Sequence, residues 1–276
     1  MRTNFVTLLP IVILAAATMA GCSTTMQTTS GQDWLNAVPA SSFATGGPPG
    51  GSQSDLNRRI VEAASVEPIL RFPARIGLAK IGPSNRNGYR VGIASPTAAE
   101  AEIWGGVAQR LGVGFGEFVP ISPLIAAMLE PERPNGVWVT NAKDVLDKIR
   151  LAAARQHLDA VIVYEVDATT NTHDTPLSIA DWTLIGAIIL PSQGVNAQGV
   201  AQAMLLDVRN GYHYGTVQTS ADDESYTTKF SSSEAQEDLS ERFKLKSTKK
   251  LAAETEILLR NLRLELAELD LRAQGS

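Results

Sequence analysis

Cys22 is the one thiol of the chain, and His157, His173 and His213 are its three imidazoles. A single cysteine excludes an intramolecular disulfide and a cysteine-built zinc site. Three scattered histidines offer little to a metal centre, so neither a metal nor a cofactor is expected. His173-Asp174 has the makings of a base with an orienting carboxylate, but no activated nucleophile adjoins it, and a polar loop is the better expectation. Asp222-Asp223-Glu224 lacks the alternating ligand spacing of a calcium loop. Gly112-Val113-Gly114-Phe115-Gly116 precedes no Lys-Ser/Thr pair and misses the spacing of a dinucleotide turn. No Gly-x-Ser-x-Gly elbow and no His-Glu-x-x-His helix occur. His213, between Tyr212 and Tyr214, is expected on the exposed face of a strand. No catalytic residue is assigned on this basis.

The 276 residues carry 24 basic and 29 acidic side chains, a net charge of -5. That balance argues against a nucleic-acid partner, which a basic face would advertise. With 44% hydrophobic and 19% charged residues, the chain has an ordinary globular composition. Its first 21 residues read as an address. Arg2 precedes the uncharged run Phe5 to Ala20, too short and Pro-interrupted for a spanning helix, and Met19-Ala20-Gly21-Cys22 closes it. This ending resembles the bacterial lipoprotein signal, with Met19 where Leu is commoner. The resemblance implies that Cys22 receives a diacylglyceryl thioether and an amide-linked acyl chain after cleavage. Ser23 in the next position implies the outer membrane rather than the inner one.

Residues 23–53 are rich in Ser, Thr, Gly, Pro and Gln and read as a flexible tether with a reach of roughly 30 Å. Within it, Trp34 and Leu35 are either an interfacial anchor or a dock onto the domain. From residue 54 to 276 a single domain is expected. A helix over 55–66 carries Leu56, Ile60, Ala63 and Ala64 on one stripe, and Arg75–Ile81 reads as a strand. Tyr89, Val91 and Ile93 alternate after Asn87-Gly88. Ser95-Pro96 opens a helix to Leu111, and Val113–Ile121 is a strand. A short helix follows Ser122-Pro123, then a strand over Val137–Thr140 and a helix from Asn141 to His157. Ala160–Val166 is apolar at nearly every residue, as a strand covered on both faces should be. Asn210-Gly211 joins two extended runs, 200–208 and 212–220, as a two-residue hairpin turn. A long helix over 233–272 carries Leu251, Leu258, Leu262 and Leu269 at heptad-like spacing, expected to lie on the sheet. The fold class is therefore α/β: a mixed sheet with packed helices, a hairpin in the second half and a long final helix.

Within Ile179–Pro191, the eight residues from Thr183 to Leu190 lack charge, far short of a spanning helix. Core, a partner-binding patch and a membrane-inserting strand all remain open for it. Trp182, Ile185 and Ile189 are the candidate partner-binding residues.

The order of lipobox, linker, RIGLAKI, helix, FVPIS and helix into LAAARQHLDAVIVYEV resembles envelope lipoproteins of the curli-secretion (CsgG-like) type. It also resembles the amino-terminal domain of the Tol-system propeller protein. ADWTLIGAIILPSQGVNAQ followed by MLLDVRNGYHYGTV is similar to the rhombotail lipoproteins. The resemblance implies a lipid-anchored, non-enzymatic outer-membrane protein facing the periplasm, with envelope proteins or a second copy as partners. An oligomeric channel or secretion component and a hydrolase with a scattered site are the alternatives.

Overall fold

The computed structural model describes residues 22–37, 52–83, 91–128, 142–168, 199–221 and 233–275. It is an α/β fold with a mixed seven-stranded sheet, and six helices are described. The strands are β1 (Cys22–Met26), β2 (Ala74–Pro83), β3 (Val91–Ala94), β4 (Gly116–Pro120), β5 (Ala160–Ala168), β6 (Gly199–Asp207) and β7 (His213–Ala221). The helices are α1 (Gly31–Asn36), α2 (Ser52–Ala64), α3 (Ala98–Leu111), α4 (Pro123–Ala127), α5 (Ala142–Arg155) and α6 (Ser233–Gly275). The sheet order is β1-β7-β6-β5-β2-β3, with β4 beside the first half of β2. β2 runs parallel to β4 and β5, and every other pairing is antiparallel.

Alternation along the central strands sends side chains to two cores. Ile76, Leu78, Ile162, Tyr164, Ala203 and Leu205 face α3 and α6, where Trp104, Leu251, Leu258 and Leu262 meet them. Ala79, Val161, Val163, Met204 and Leu206 face α5, whose Val145, Ile149 and Ala153 are buried as the spacing predicts. β5 is thus covered on both faces, which explains a strand with no polar alternation. Leu251, Leu258 and Leu262 are buried against the sheet, with Leu269 packed at the margin, as expected of the heptad-like seam.

Several expectations are corrected. The tether does not begin at residue 23. β1 pairs with β7 from Cys22↔Thr219 to Met26↔Gly215, and α1 follows. The physical reason is the open edge of β7, whose backbone donors and acceptors a Ser/Thr-rich segment can satisfy without any apolar pattern. Tyr212 Oη donates to Thr29 O at 2.8 Å and Ser30 Oγ donates to Glu67 Oε1 at 3.1 Å, fastening the turn between β1 and α1. The domain accordingly includes residues 22–37. α3 starts later than Ser95-Pro96 implies. Thr97 is its cap, accepting from Glu100 N while the Glu100 carboxylate accepts from Thr97 N, a reciprocal box that outcompetes a lone Ser cap. The strand expected from Val113 begins at Gly116, and Val113 is exposed. The stripe of α2 faces water in part, since Leu56 and Ile60 are both exposed. The strand expected over Val137–Thr140 lies outside the described residues.

The hairpin between β6 and β7 is present, but its turn is longer than two residues. Only Gly211 has positive φ, at 77°. The Asp207 carboxylate accepts from Arg209 N and Asn210 N, and Gly211 N donates to Asp207 O. An Asp-capped turn closing on a left-handed glycine replaces the mirror-image turn.

Candidate functional site

Cys22 opens β1 at the edge of the sheet and is exposed. Partial burial, then the nearby Glu254 carboxylate, pushes its thiol above its ordinary value, and Lys250 opposes them. The thiol is therefore held protonated rather than activated as a nucleophile of its own. Neighbouring rungs locate this end of the sheet. Thr219 pairs with both Cys22 and Ala201, and Gly199 pairs with Ala221 on one side and Ala168 on the other. Trp182, Ile185 and Ile189, the candidate partner residues, lie outside the described residues. The two attachment points of their segment, Ala168 and Gly199, form one rung at the Cys22 end. His173 and Asp222-Asp223-Glu224 also lie outside.

The opposite end of the sheet carries a cleft of about 710 Å³ between α5 and the β6–β7 turn. Asp147, Arg150, Leu151, His157, Asp159 and Arg209 are among its walls. Arg150 Nη2 donates to Val208 O at 3.1 Å and to Arg209 O at 3.3 Å, clamping the turn to α5. Asp159 accepts from Arg75 N and pairs with Arg209 at 3.5 Å, while Asp147 pairs with Lys143 at 2.6 Å. His157 takes φ 55° just past the end of α5, the left-handed position that usually holds glycine. Its charged walls are thus engaged by their own neighbours, and no Ser, Thr or Cys is among them. A second cleft of about 420 Å³ runs between α3 and α6, past Ile103, Gly106, Arg110, Leu245 and Lys249.

Two buried polar clusters escaped the sequence reading. Lys80 Nζ lies 2.8 Å from both Glu100 oxygens, and the Glu100 side chain is 5% exposed. The carboxylate that caps α3 thereby also ties it to β2, with three hydrogen bonds from Lys80 Nζ and Thr97 N compensating its loss of water. Asp207, fully buried, accepts from Tyr214 Oη at 3.1 Å, and that oxygen in turn accepts from Leu70 N and Ile69 N. Burial pushes the Tyr214 hydroxyl far above its ordinary range, so it remains a donor at any working pH. Neither cluster opens onto a cleft. The one signal for them in the sequence is a charged residue at an inward position of a strand or helix. His213 is half-buried rather than exposed, and burial lowers its pKa, with Gly215 opposing through a backbone hydrogen bond.

Among the described residues no group of three or more His, Cys, Asp or Glu could hold a metal ion. No described helix is long and apolar enough to cross a membrane. No protein-family model and no curated protein matches the chain. Among solved structures, a PelC dodecamer from Paraburkholderia phytofirmans is similar over 70% of this chain and 93% of that one, at 12% identity and a TM-score of 0.31. A likeness of that size carries no argument about this chain.

Proposed function

We propose that the chain is a lipid-anchored envelope protein, acylated on Cys22 and held at the outer membrane. Its α/β domain faces the periplasm and binds other envelope proteins rather than catalysing a reaction. The observation that carries the reading is the place of the one cysteine. It follows an uncharged apolar run in sequence, and its side chain is exposed at the start of an edge strand, where acyl chains meet no packed neighbour. Each buried CH₂ contributes about 0.8 kcal/mol, so three acyl chains hold a protein on a bilayer where one binds reversibly. Because β1 begins at Cys22 itself, the anchor joins the sheet with no spacer. The end of the sheet bearing Cys22, Ala168, Gly199 and Ala221 then rests against the headgroups, and the α5 cleft faces away.

Cys22→Ala tests the reading by palmitate labelling. The label is expected on the parent chain and absent from the variant, which stays unprocessed or leaves the membrane fraction. Labelling that survives the substitution overturns the proposal. A membrane channel or secretion component is the second reading. Supporting it, the segment bearing Trp182, Ile185 and Ile189 attaches at the Cys22 end, beside the proposed bilayer. Dye leakage from vesicles carrying the acylated chain, lost in Ile185→Asp and Ile189→Asp, is its signature.

A further inference from the structure

Cys22 is at once the residue that takes the acyl chains in the proposed function and the first residue of a laddered strand. β1 runs antiparallel to β7 from the rung Cys22↔Thr219 to the rung Met26↔Gly215. Its close seat is built into β7, where a Cβ on Gly215 would strike Thr25 O. Little apolar surface holds it there. The side chains of Cys22 to Thr25 are exposed and Met26 is half-buried. The ladder, the contact between the Thr25 and Thr216 hydroxyls and a hydrogen bond from Thr24 to Glu254 therefore carry the strand. The segment that follows is fixed on its own account. Tyr212 Oη donates to Thr29 O, and Ser30 Oγ and Gln32 N both donate to Glu67 Oε1. Gly31 is buried against Ala64 and Val66. Residues 22–37 are thus a zipper in front of a latch, and local opening of the first leaves the second shut. Residues 22–28, opened and extended from Thr29, reach about 23 Å.

We infer that Cys22 is acylated and cut from Gly21 only while β1 is off β7, and that β1 then closes and draws the domain onto the bilayer. The inference rests on the lipid-anchored reading, in which three bonds change at this residue. Cys22 Sγ gives up its proton and bonds a glyceryl carbon of a phospholipid, whose headgroup phosphate leaves with that proton. Water splits the Gly21–Cys22 amide into an acid and an amine. The amine then displaces the glyceryl oxygen from an acyl ester of a second phospholipid, which leaves as the alcohol. Each step takes place in an enzyme site at the membrane. A peptide bond is cut in locally opened chain, because residues on both sides of it exchange their own hydrogen bonds for those of the enzyme. Docked β1 offers the opposite, since its ladder starts at the residue whose bond is cut. Docked, the thiol is also a poor nucleophile. Partial burial and then the Glu254 carboxylate hold it protonated, with Lys250 opposing. Opening β1 takes the thiol away from both. Closing it afterwards takes up the pendant chain and returns Cys22 to the end of the sheet.

Stapling β1 shut tests the inference. The full chain is made by cell-free synthesis in detergent and folded, and bacterial membranes carrying palmitate-labelled phospholipid are then added. Thr25→Cys with Thr216→Cys puts two thiols at facing positions, where the hydroxyls lie 2.7 Å apart. Their disulfide is formed and mapped by mass spectrometry before the membranes are added. The stapled chain is expected to take label at least tenfold more slowly than the parent and to keep its precursor size. Dithiothreitol should restore the parent rate, which shows that the variant is folded and competent. Gly215→Val, whose side chain bars β1 from its seat, should take label at least as fast as the parent. A stapled chain labelled at the parent rate overturns the inference. Oxidised after labelling instead of before, the same thiol pair is expected to close. Labelled chains that keep both thiols open to a maleimide show that β1 never returns, and overturn the closing step. Failure of the anchor is read separately, because the parent chain itself then takes no label.

Discussion

Gly211 and His213 bracket the turn where residue-scale forces are most visible. At φ 77°, Gly211 occupies backbone space that costs a β-branched residue dearly, and a Cβ there would lie 3.0 Å from the Arg150 guanidinium carbon. Gly211→Val is expected to destabilise the domain by about 1 kcal/mol or more, because strain adds to the loosened clamp on Val208 and Arg209. Urea denaturation measures it, and an unchanged midpoint would mean that the turn carries no such constraint. His213 is half-buried, and that desolvation favours its neutral form, so its pKa in the folded state lies below the ordinary 6.5. The unfolded chain then binds the proton first, and stability present above 6.5 is lost as pH falls from there toward the folded value. Melting temperatures should drop over that interval in the parent chain, and His213→Gln should flatten the part of the drop that this imidazole causes. An identical pH profile in the variant refutes the assignment. The sequence shows Gly211 as a turn residue, since an Asn-Gly pair between two extended runs leaves few other readings. It does not show that Asp207 reshapes the turn, because a carboxylate accepting two backbone N–H groups is visible only once the strand has ended.

β1 and α1 are the elements that composition misjudges. Residues 22–26 have no apolar alternation, and only Met26 is half-buried, so nothing local marks a strand. They are ordered by the ladder to β7 and by Thr25 Oγ1 lying 2.7 Å from Thr216 Oγ1, a contact between residues 191 positions apart. Deleting residues 23–37 while keeping Cys22 is therefore expected to lower the melting temperature by several degrees, because β7 becomes an open edge and Gly31 no longer lies buried against Ala64 and Val66. A truncated chain that melts with the parent would restore the tether. Helices with a strong stripe, α5 and α6, are legible in advance because their spacing alone selects the buried side. α3 is legible in extent but not at its start, where two capping arrangements compete within three residues and the reciprocal Thr97–Glu100 box prevails.

Over the whole molecule, three layers place Cys22 and the rung Ala168–Gly199 at one end of the sheet and the α5 cleft at the other. The chain leaves and re-enters the described sheet at that rung on either side of the segment that contains Trp182, Ile185 and Ile189. If it presents a partner patch there, Ile185→Asp and Ile189→Asp leave thermal stability nearly intact and weaken capture of crosslinked envelope proteins. A loss of several kcal/mol in either variant marks that residue as core, through an unpaired buried charge. By itself the sequence determined the α/β class, the central strands, the paired strands β6 and β7, the long final helix and the singular position of Cys22. Each of these follows from periodicity, turn chemistry or residue count, which act between near neighbours along the chain. Only the tertiary structure decided that β1 closes the edge of β7 and that Lys80 and Asp207 find their partners. Those depend on residues far apart in sequence meeting across a sheet, and no local pattern encodes which backbone edge stays open.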